Sequence, residues 1–166
     1  MGILIGIGGI SRAGKSRLSE YLQKQLQDAH VIHQDDYVKS EREIPRIKDR
    51  LDWEHPDSIH WPGLEESIAE SLIKHQYTIL EGLFAFYHKE IEDQMSLKIM
   101  LSLDKQQFLD LKKVDKRWGD EPNWFIDHIW HSHSLYGTVR DKSTLSRIHN
   151  IKDSDYQFIV EQVKNL

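Results

Sequence analysis

Ile3-Leu4-Ile5-Gly6-Ile7-Gly8-Gly9-Ile10-Ser11-Arg12-Ala13-Gly14-Lys15-Ser16 is the stretch that decides the fold of this chain. Its opening residues, Ile3 to Ile7, form an apolar run that predicts a buried strand. Gly9 to Ser16 then spell G-x-x-x-x-G-K-S, and beyond Lys15 the apolar residues Leu18, Tyr21, Leu22 and Leu26 recur at helical spacing. Strand, glycine-rich turn and helix make up the setting in which this pattern cradles nucleotide phosphates. Gly9 and Gly14 permit the tight backbone path. The loop N–H groups of Ser11, Arg12 and Ala13, with the helix N-terminus, then face an anion. Lys15 is placed to neutralise β- and γ-phosphate oxygens, and the Ser16 hydroxyl to enter a Mg²⁺ shell. The expected ligand is a nucleoside triphosphate.

Outward from that stretch, strands and helices alternate. Ala29 to His33 predicts a second strand, ending in Gln34-Asp35-Asp36-Tyr37. Residues 39–61 are polar, charged and interrupted by Pro45 and Pro56, so irregular structure or short helix is expected there. Leu64, Ile68, Leu72 and Ile73 mark a helix, and Tyr77 to Leu80 a third strand ending at Glu81-Gly82. Leu97 to Leu103 predicts a fourth strand, with Asp104 as N-cap of a helix carrying Phe108, Leu109 and Leu111. That helix turns basic at Lys112, Lys113, Lys116 and Arg117. Further helices are expected over residues 123–136 and around Tyr156, Ile159, Val160 and Val163, with a short strand at 145–149 between them. The expected fold is a three-layer α/β/α domain of the P-loop NTPase type. It comprises a mostly parallel sheet of about five strands, one domain over residues 1–166 and a small lid near residues 112–122.

Composition narrows the class. At 166 residues the chain is one domain, and 39% hydrophobic with 30% charged residues is globular. A net charge of −5 argues against non-specific nucleic-acid binding, which needs a basic face. The absence of cysteine excludes a disulfide framework and thiolate chemistry, and fits a reducing interior. No signal-like segment precedes the first strand, and no apolar run approaches the roughly 20 residues of a membrane span. The expectation is a cytoplasmic protein without a membrane or nucleic-acid partner.

In open α/β sheets ligands gather outside the carboxyl ends of the strands. Three predicted strand ends carry polar candidates there: the glycine-rich turn, Asp35-Asp36 and Glu81. The N/T-K-x-D and D-x-x-G patterns of guanine-nucleotide switches do not occur in the chain, which is also small for a motor ATPase. A small-molecule kinase needs a cradle, Mg²⁺ ligands, a carboxylate to take the acceptor's proton and mobile cations over the γ-phosphate. Asp35 or Asp36 supplies the base and Ser16 with Glu81 the metal environment, while Lys112, Lys113, Lys116 and Arg117 resemble a closing lid. Adjacent aspartates also cap helices or make turns, and a basic run also complements a helix C-terminus.

These residues resemble a family. Ile5 to Ser16 looks like the P-loop of the uridine kinase and nicotinamide riboside kinase group. Val31-Ile32-His33-Gln34-Asp35-Asp36-Tyr37 is similar to that group's V-I-x-Q-D-D-[FY], and Ile79-Leu80-Glu81-Gly82 to its I-[IL]-E-G. Pro122 to Trp130 resembles the P-x-Y-F-x-x-H-V-W stretch of nicotinamide riboside kinases, whereas Trp53-Glu54-His55-Pro56-Asp57 resembles the [YF]-D-H-P segment of uridine kinases. The resemblance implies ATP–Mg²⁺-dependent phosphorylation of a ribonucleoside 5′-hydroxyl, nicotinamide riboside or uridine being the nearest acceptors. It makes Asp35 the base and a Mg²⁺ contact, with Asp36 beside it at the acceptor. Trp53 stacks the base and Glu54, where the family has Asp, holds the ribose hydroxyls; Asp52 lies near enough to compensate. Asn150-Ile151-Lys152 falls at the adenine-contacting loop, so Asn150 and Lys152 join the ATP site with Lys113, Lys116 and Arg117. The lid departs from the family, whose arginines are here mostly lysines, without the bidentate fork. That departure leaves an alternative, a catalytically weak nucleotide-binding regulatory module.

Overall fold

A computed structural model describes residues 1–166. Ile3–Gly9 forms β1, Lys15–Gln25 α1 and Ala29–His33 β2, which runs into a 3₁₀ turn at Gln34–Tyr37. A two-residue hairpin follows, β3 at Arg46–Ile47 and β4 at Arg50–Leu51. Then come a 3₁₀ turn at Pro56–Ser58, α2 at Trp61–Lys74, β5 at Tyr77–Gly82 and α3 at Lys89–Glu92. The second half holds β6 at Met95–Ser102, α4 at Lys105–Val114, α5 at Asn123–Tyr136, β7 at Leu145–His149 and α6 at Asp153–Lys164.

The main sheet has the order β2-β5-β1-β6-β7, and every pairing in it is parallel. Side chains alternate across a strand, so the sheet sorts its apolar residues onto two faces. Ile5, Ile7, Ile79, Ile99 and Leu101 enter one core with Leu18 and Leu22 of α1 and Ile159 and Val163 of α6. Leu4, Leu80 and Met100 enter the other with Leu64, Ile68 and Leu72 of α2. This is the expected three-layer architecture.

Register then brings three strand ends together. Ile7 lies beside Glu81 and Gly8 beside Gly82, while His33 lies beside Glu81 on the other edge of β5. At Gly9, φ is +151° and an added Cβ would stand 2.4 Å from the Leu101 carbonyl oxygen, so only glycine lets β1 pass β6 into the turn. Gly14 at φ +100° ends the turn and begins α1.

Some local expectations are corrected. Residues 39–61 contain the β3–β4 hairpin, and Val38 bridges Ile59, closing the segment as a flap beside the cleft. Ile73 is 81% exposed and lies off the core face of α2. The helix beginning after Asp104 stops at Val114, so Lys116 and Arg117 stand on the connection to α5 rather than on the helix. No helix is long and apolar enough to cross a membrane.

Candidate active site

A cleft of about 680 Å³ opens at the carboxyl ends of β1, β2 and β5. Ser11, Arg12, Lys15 and Ser16 line it from the turn, Asp35 and Gln34 from the end of β2, and Glu81 from β5. Trp53 and Glu54 line it from the flap, and Lys112, Arg117, Trp118 and Glu121 from the lid. The cradle, the candidate base and the candidate acceptor residues therefore share one cavity.

Electrostatics at the floor follow from crowding. Glu81 is 4% exposed; its Oε1 accepts from the Ser16 hydroxyl at 3.2 Å and lies 2.7 Å from His33 Nδ1. Lys15 Nζ donates to the Ile10 carbonyl at 3.2 Å. Burial draws the Lys15 ammonium below its ordinary pKa, opposed by Glu81, Asp35 and Glu54. Burial, then Glu81, pushes the Asp35 carboxyl up, while Lys15 opposes. A carboxylate raised toward neutrality is a better proton acceptor than an ordinary one.

Ser16, Asp35 and Glu81 offer hydroxyl and carboxylate oxygens, the hard donors that suit Mg²⁺. No group of three or more His, Cys, Asp or Glu converges to hold a metal by protein ligands alone.

The flap is fixed from α5. Asp52, 6% exposed, has Oδ1 2.8 Å from His128 Nε2, and the same oxygen accepts from the Glu54 backbone N–H at 3.2 Å. Asp52 thus holds the turn and does not line the cleft. Burial pushes the Glu54 carboxyl up to about 8, with Asp52 and Glu121 adding and Lys15 and Lys112 opposing. Trp53 is 42% exposed and lines the cleft.

The lid is held by ion pairs. Asp115 accepts from Arg117 Nε at 2.8 Å and Nη2 at 2.7 Å, and its Oδ2 lies 3.9 Å from Arg12 Nε. The Arg117 guanidinium holds the Asp115 carboxyl far below the usual range. Lys112 is buried and paired with Glu121. Lys113 and Lys116 do not reach the cleft: Lys113 pairs with Asp110 at 3.4 Å and Lys116 with Asp120 at 2.5 Å, both on the outer surface. Asn150 and Lys152 also stay outside it; Ile151 between them meets the space beside Gly14, and the Lys152 N–H is spent on Asp155. Asp35 and Asp36 are both exposed, and of the two Asp35 lines the cleft.

Sequence reasoning missed four residues. Gln34 sat inside a quoted motif; it is 1% exposed, its Oε1 accepts from the Phe84 N–H at 2.8 Å, and its Nε2 has no partner. His33 lay in the same motif and meets Glu81, 48 residues on, while Asp115 and Trp118 lie in a segment without periodic spacing.

The cradle, the strand order and the strand-end carboxylates are those of a P-loop kinase fold. No protein-family profile matches the chain. It is 25% identical to nicotinamide riboside kinase 1 of Homo sapiens over 150 residues, covering 80% of this chain and 75% of that protein. It is 22% identical to nicotinamide riboside kinase of Schizosaccharomyces pombe over 185 residues, 80% and 79% of the two chains. A uridine kinase of Deinococcus deserti is 23% identical over 128 residues, 61% and 62%. Among solved structures, thymidylate kinase from Candida albicans superposes with a TM-score of 0.62 at 16% identity, covering 99% of this chain and 92% of that one. A possible uridine kinase from Bacillus stearothermophilus gives 0.51 at 20% identity, covering 81% and 80%. The resemblance read from the motifs thus extends across most of the chain.

Proposed function

We propose that this protein transfers the γ-phosphate of ATP to the 5′-hydroxyl of a ribonucleoside. The observation that carries this reading is the shared cleft, where Lys15, Ser16, Asp35 and Glu81 meet the Trp53-Glu54 turn. Lys15 exchanges its contact with the Ile10 carbonyl for phosphate oxygens, and the turn's N–H groups cradle them. Ser16, Asp35 and Glu81 would hold Mg²⁺, which would offset the negative charge of the phosphates. Asp35 accepts the hydroxyl proton as the oxygen attacks phosphorus and the bond to ADP breaks. Arg117, aimed by Asp115, and Arg12 stabilise the charge that develops on the transferred group.

Two tryptophans, Trp53 and Trp118, line the cleft, as do Glu41, Glu54 and Glu121. Tryptophan faces and the Glu41 carboxylate on the lining favour a cationic pyridinium over a neutral pyrimidine, which supports nicotinamide riboside ahead of uridine. Glu54 keeps its proton in the ligand-free cleft at neutral pH, so it can both donate to and accept from a ribose diol. The pairing of Lys113 and Lys116 away from the cleft favours the second reading, a nucleotide-binding module with weak catalysis. A parent nucleoside and its 5′-deoxy analogue separate the two. Under the kinase reading the parent yields a 5′-monophosphate and the analogue none; equal ATP consumption with and without either compound contradicts it.

A further inference from the structure

A second cavity, about 370 Å³, lies away from the cleft between the ends of β6 and β7 and the C-terminal half of α5. It shares only Ile10 with the phosphate-binding turn, and none of Asn150, Lys152, Trp53 or Arg117 borders it. Its volume falls within the range of small-molecule sites, roughly 300–1,000 Å³.

Its lining has one sign of charge. Lys142 and Arg147 both border it, neither forms an ion pair or a side-chain hydrogen bond in the protein, and no Asp or Glu lies among the twelve lining residues. That is unusual in a chain of net charge −5 whose lid and helix-end cations are mostly paired with acids. The Thr138 hydroxyl adds a donor, whereas the Ser134 hydroxyl donates to the Trp130 carbonyl at 3.0 Å and that of Ser102 lies 3.2 Å from His149 Nδ1; Trp130, Met100, Leu103 and Val139 supply an apolar wall. His133 borders the same space, and its Nδ1 is buried without a partner. Burial, with the Lys15 charge adding, draws His133 down to about 4, so at neutral pH it is a neutral ring with one donor and one acceptor.

We propose that this cavity is a second binding site, for a small organic anion whose oxyanion head meets Arg147 and Lys142 and whose flat apolar body lies against Trp130. Arg147 presents a planar fork that matches either a carboxylate or a phosphoryl head. The apolar wall and the volume call for a body beyond the head group, which distinguishes this site from a bare phosphate site. Occupancy would touch Ile10, whose carbonyl holds Lys15, and so reach the back of the catalytic cradle.

The test is calorimetric titration of the whole protein saturated with Mg²⁺ and a non-hydrolysable ATP analogue, so that the phosphate-binding turn is already filled. Benzoate, phenyl phosphate and inorganic phosphate are the probes. The expected result is 1:1 binding of at least one phenyl-bearing probe, about tenfold or more tighter than inorganic phosphate, the tighter of the two identifying the head group. Arg147→Glu and Lys142→Glu, both at exposed positions, should each weaken that binding by about tenfold or more while circular dichroism stays unchanged. Absence of saturable binding by both phenyl probes overturns the proposal. So does binding that survives both charge reversals. Neither result bears on phosphate transfer, which is read separately.

Discussion

Asp35 stands where Lys15 and Glu81 oppose each other, and its role is the sharpest residue-level consequence of the site. Asp35→Asn keeps size and polarity but removes the proton acceptor. Steady-state kinetics should show kcat falling by about 10²-fold or more with a much smaller change in ATP KM. Asp115 makes a different prediction, because it reaches the reaction through Arg117 rather than directly. An asparagine loses one arm of the bidentate grip, so Asp115→Asn should lower kcat by roughly tenfold. In an Arg117→Ala background the same change should cost little further, since the side chain it positions is gone. Additive losses in that double-mutant cycle would show that Asp115 supports the fold instead.

At the scale of elements, the acceptor turn depends on a helix 76 residues away through His128 and Asp52. His128→Ala leaves Asp52 buried with only the Glu54 N–H, so the turn loosens. The nucleoside KM should rise about tenfold while ATP KM stays within about twofold, because binding geometry suffers and the cradle does not. The β1–turn–α1 unit was legible from Ile3 to Leu26 because its periodicities and glycines are local. So were β5 and β6, whose apolar runs reflect burial between two helical layers, and the short apolar core of β2. The flap hairpin was not legible: β3 and β4 have two residues each, too short for any alternation to show. Which lid cations reach the cleft was not legible for a related reason. A run of basic letters does not tell which lysines an i,i+3 or i,i+4 acid captures, and Asp110 and Asp120 capture Lys113 and Lys116.

The whole molecule assembles its site by sheet register, and this explains which functional residues the sequence could disclose. Lys15, Ser16, Asp35 and Glu81 follow strands, so knowing the strands placed them. His33 ends β2 and meets Glu81 by the same register, while Asp115 and Trp118 sit on the connection after α4, where no strand or helix period places them. Burial of Glu54 has a consequence for the entire fold. Its carboxyl moves from an ordinary 4.5 in the unfolded chain to about 8 in the ligand-free protein, so the folded state holds the extra proton between those values. Stability therefore falls as pH rises across that interval. The effect is cleanest between pH 6.5 and 8, above the range in which His133 titrates. Thermal denaturation across that window should show a steeper decline for the native chain than for Glu54→Gln; parallel curves would mean Glu54 is already ionised.

The central claim is phosphate transfer from the P-loop cleft to a nucleoside, and labelled-phosphate transfer tests it most directly. With γ-labelled ATP, Mg²⁺ and a panel of nicotinamide riboside, uridine and cytidine, label should appear in a nucleoside 5′-monophosphate, most of all with nicotinamide riboside. The signal should vanish in Lys15→Ala, which removes the charge on the β- and γ-phosphates. Tight ATP binding with no label in any nucleoside, or label only in free phosphate at a rate no acceptor changes, would contradict the account.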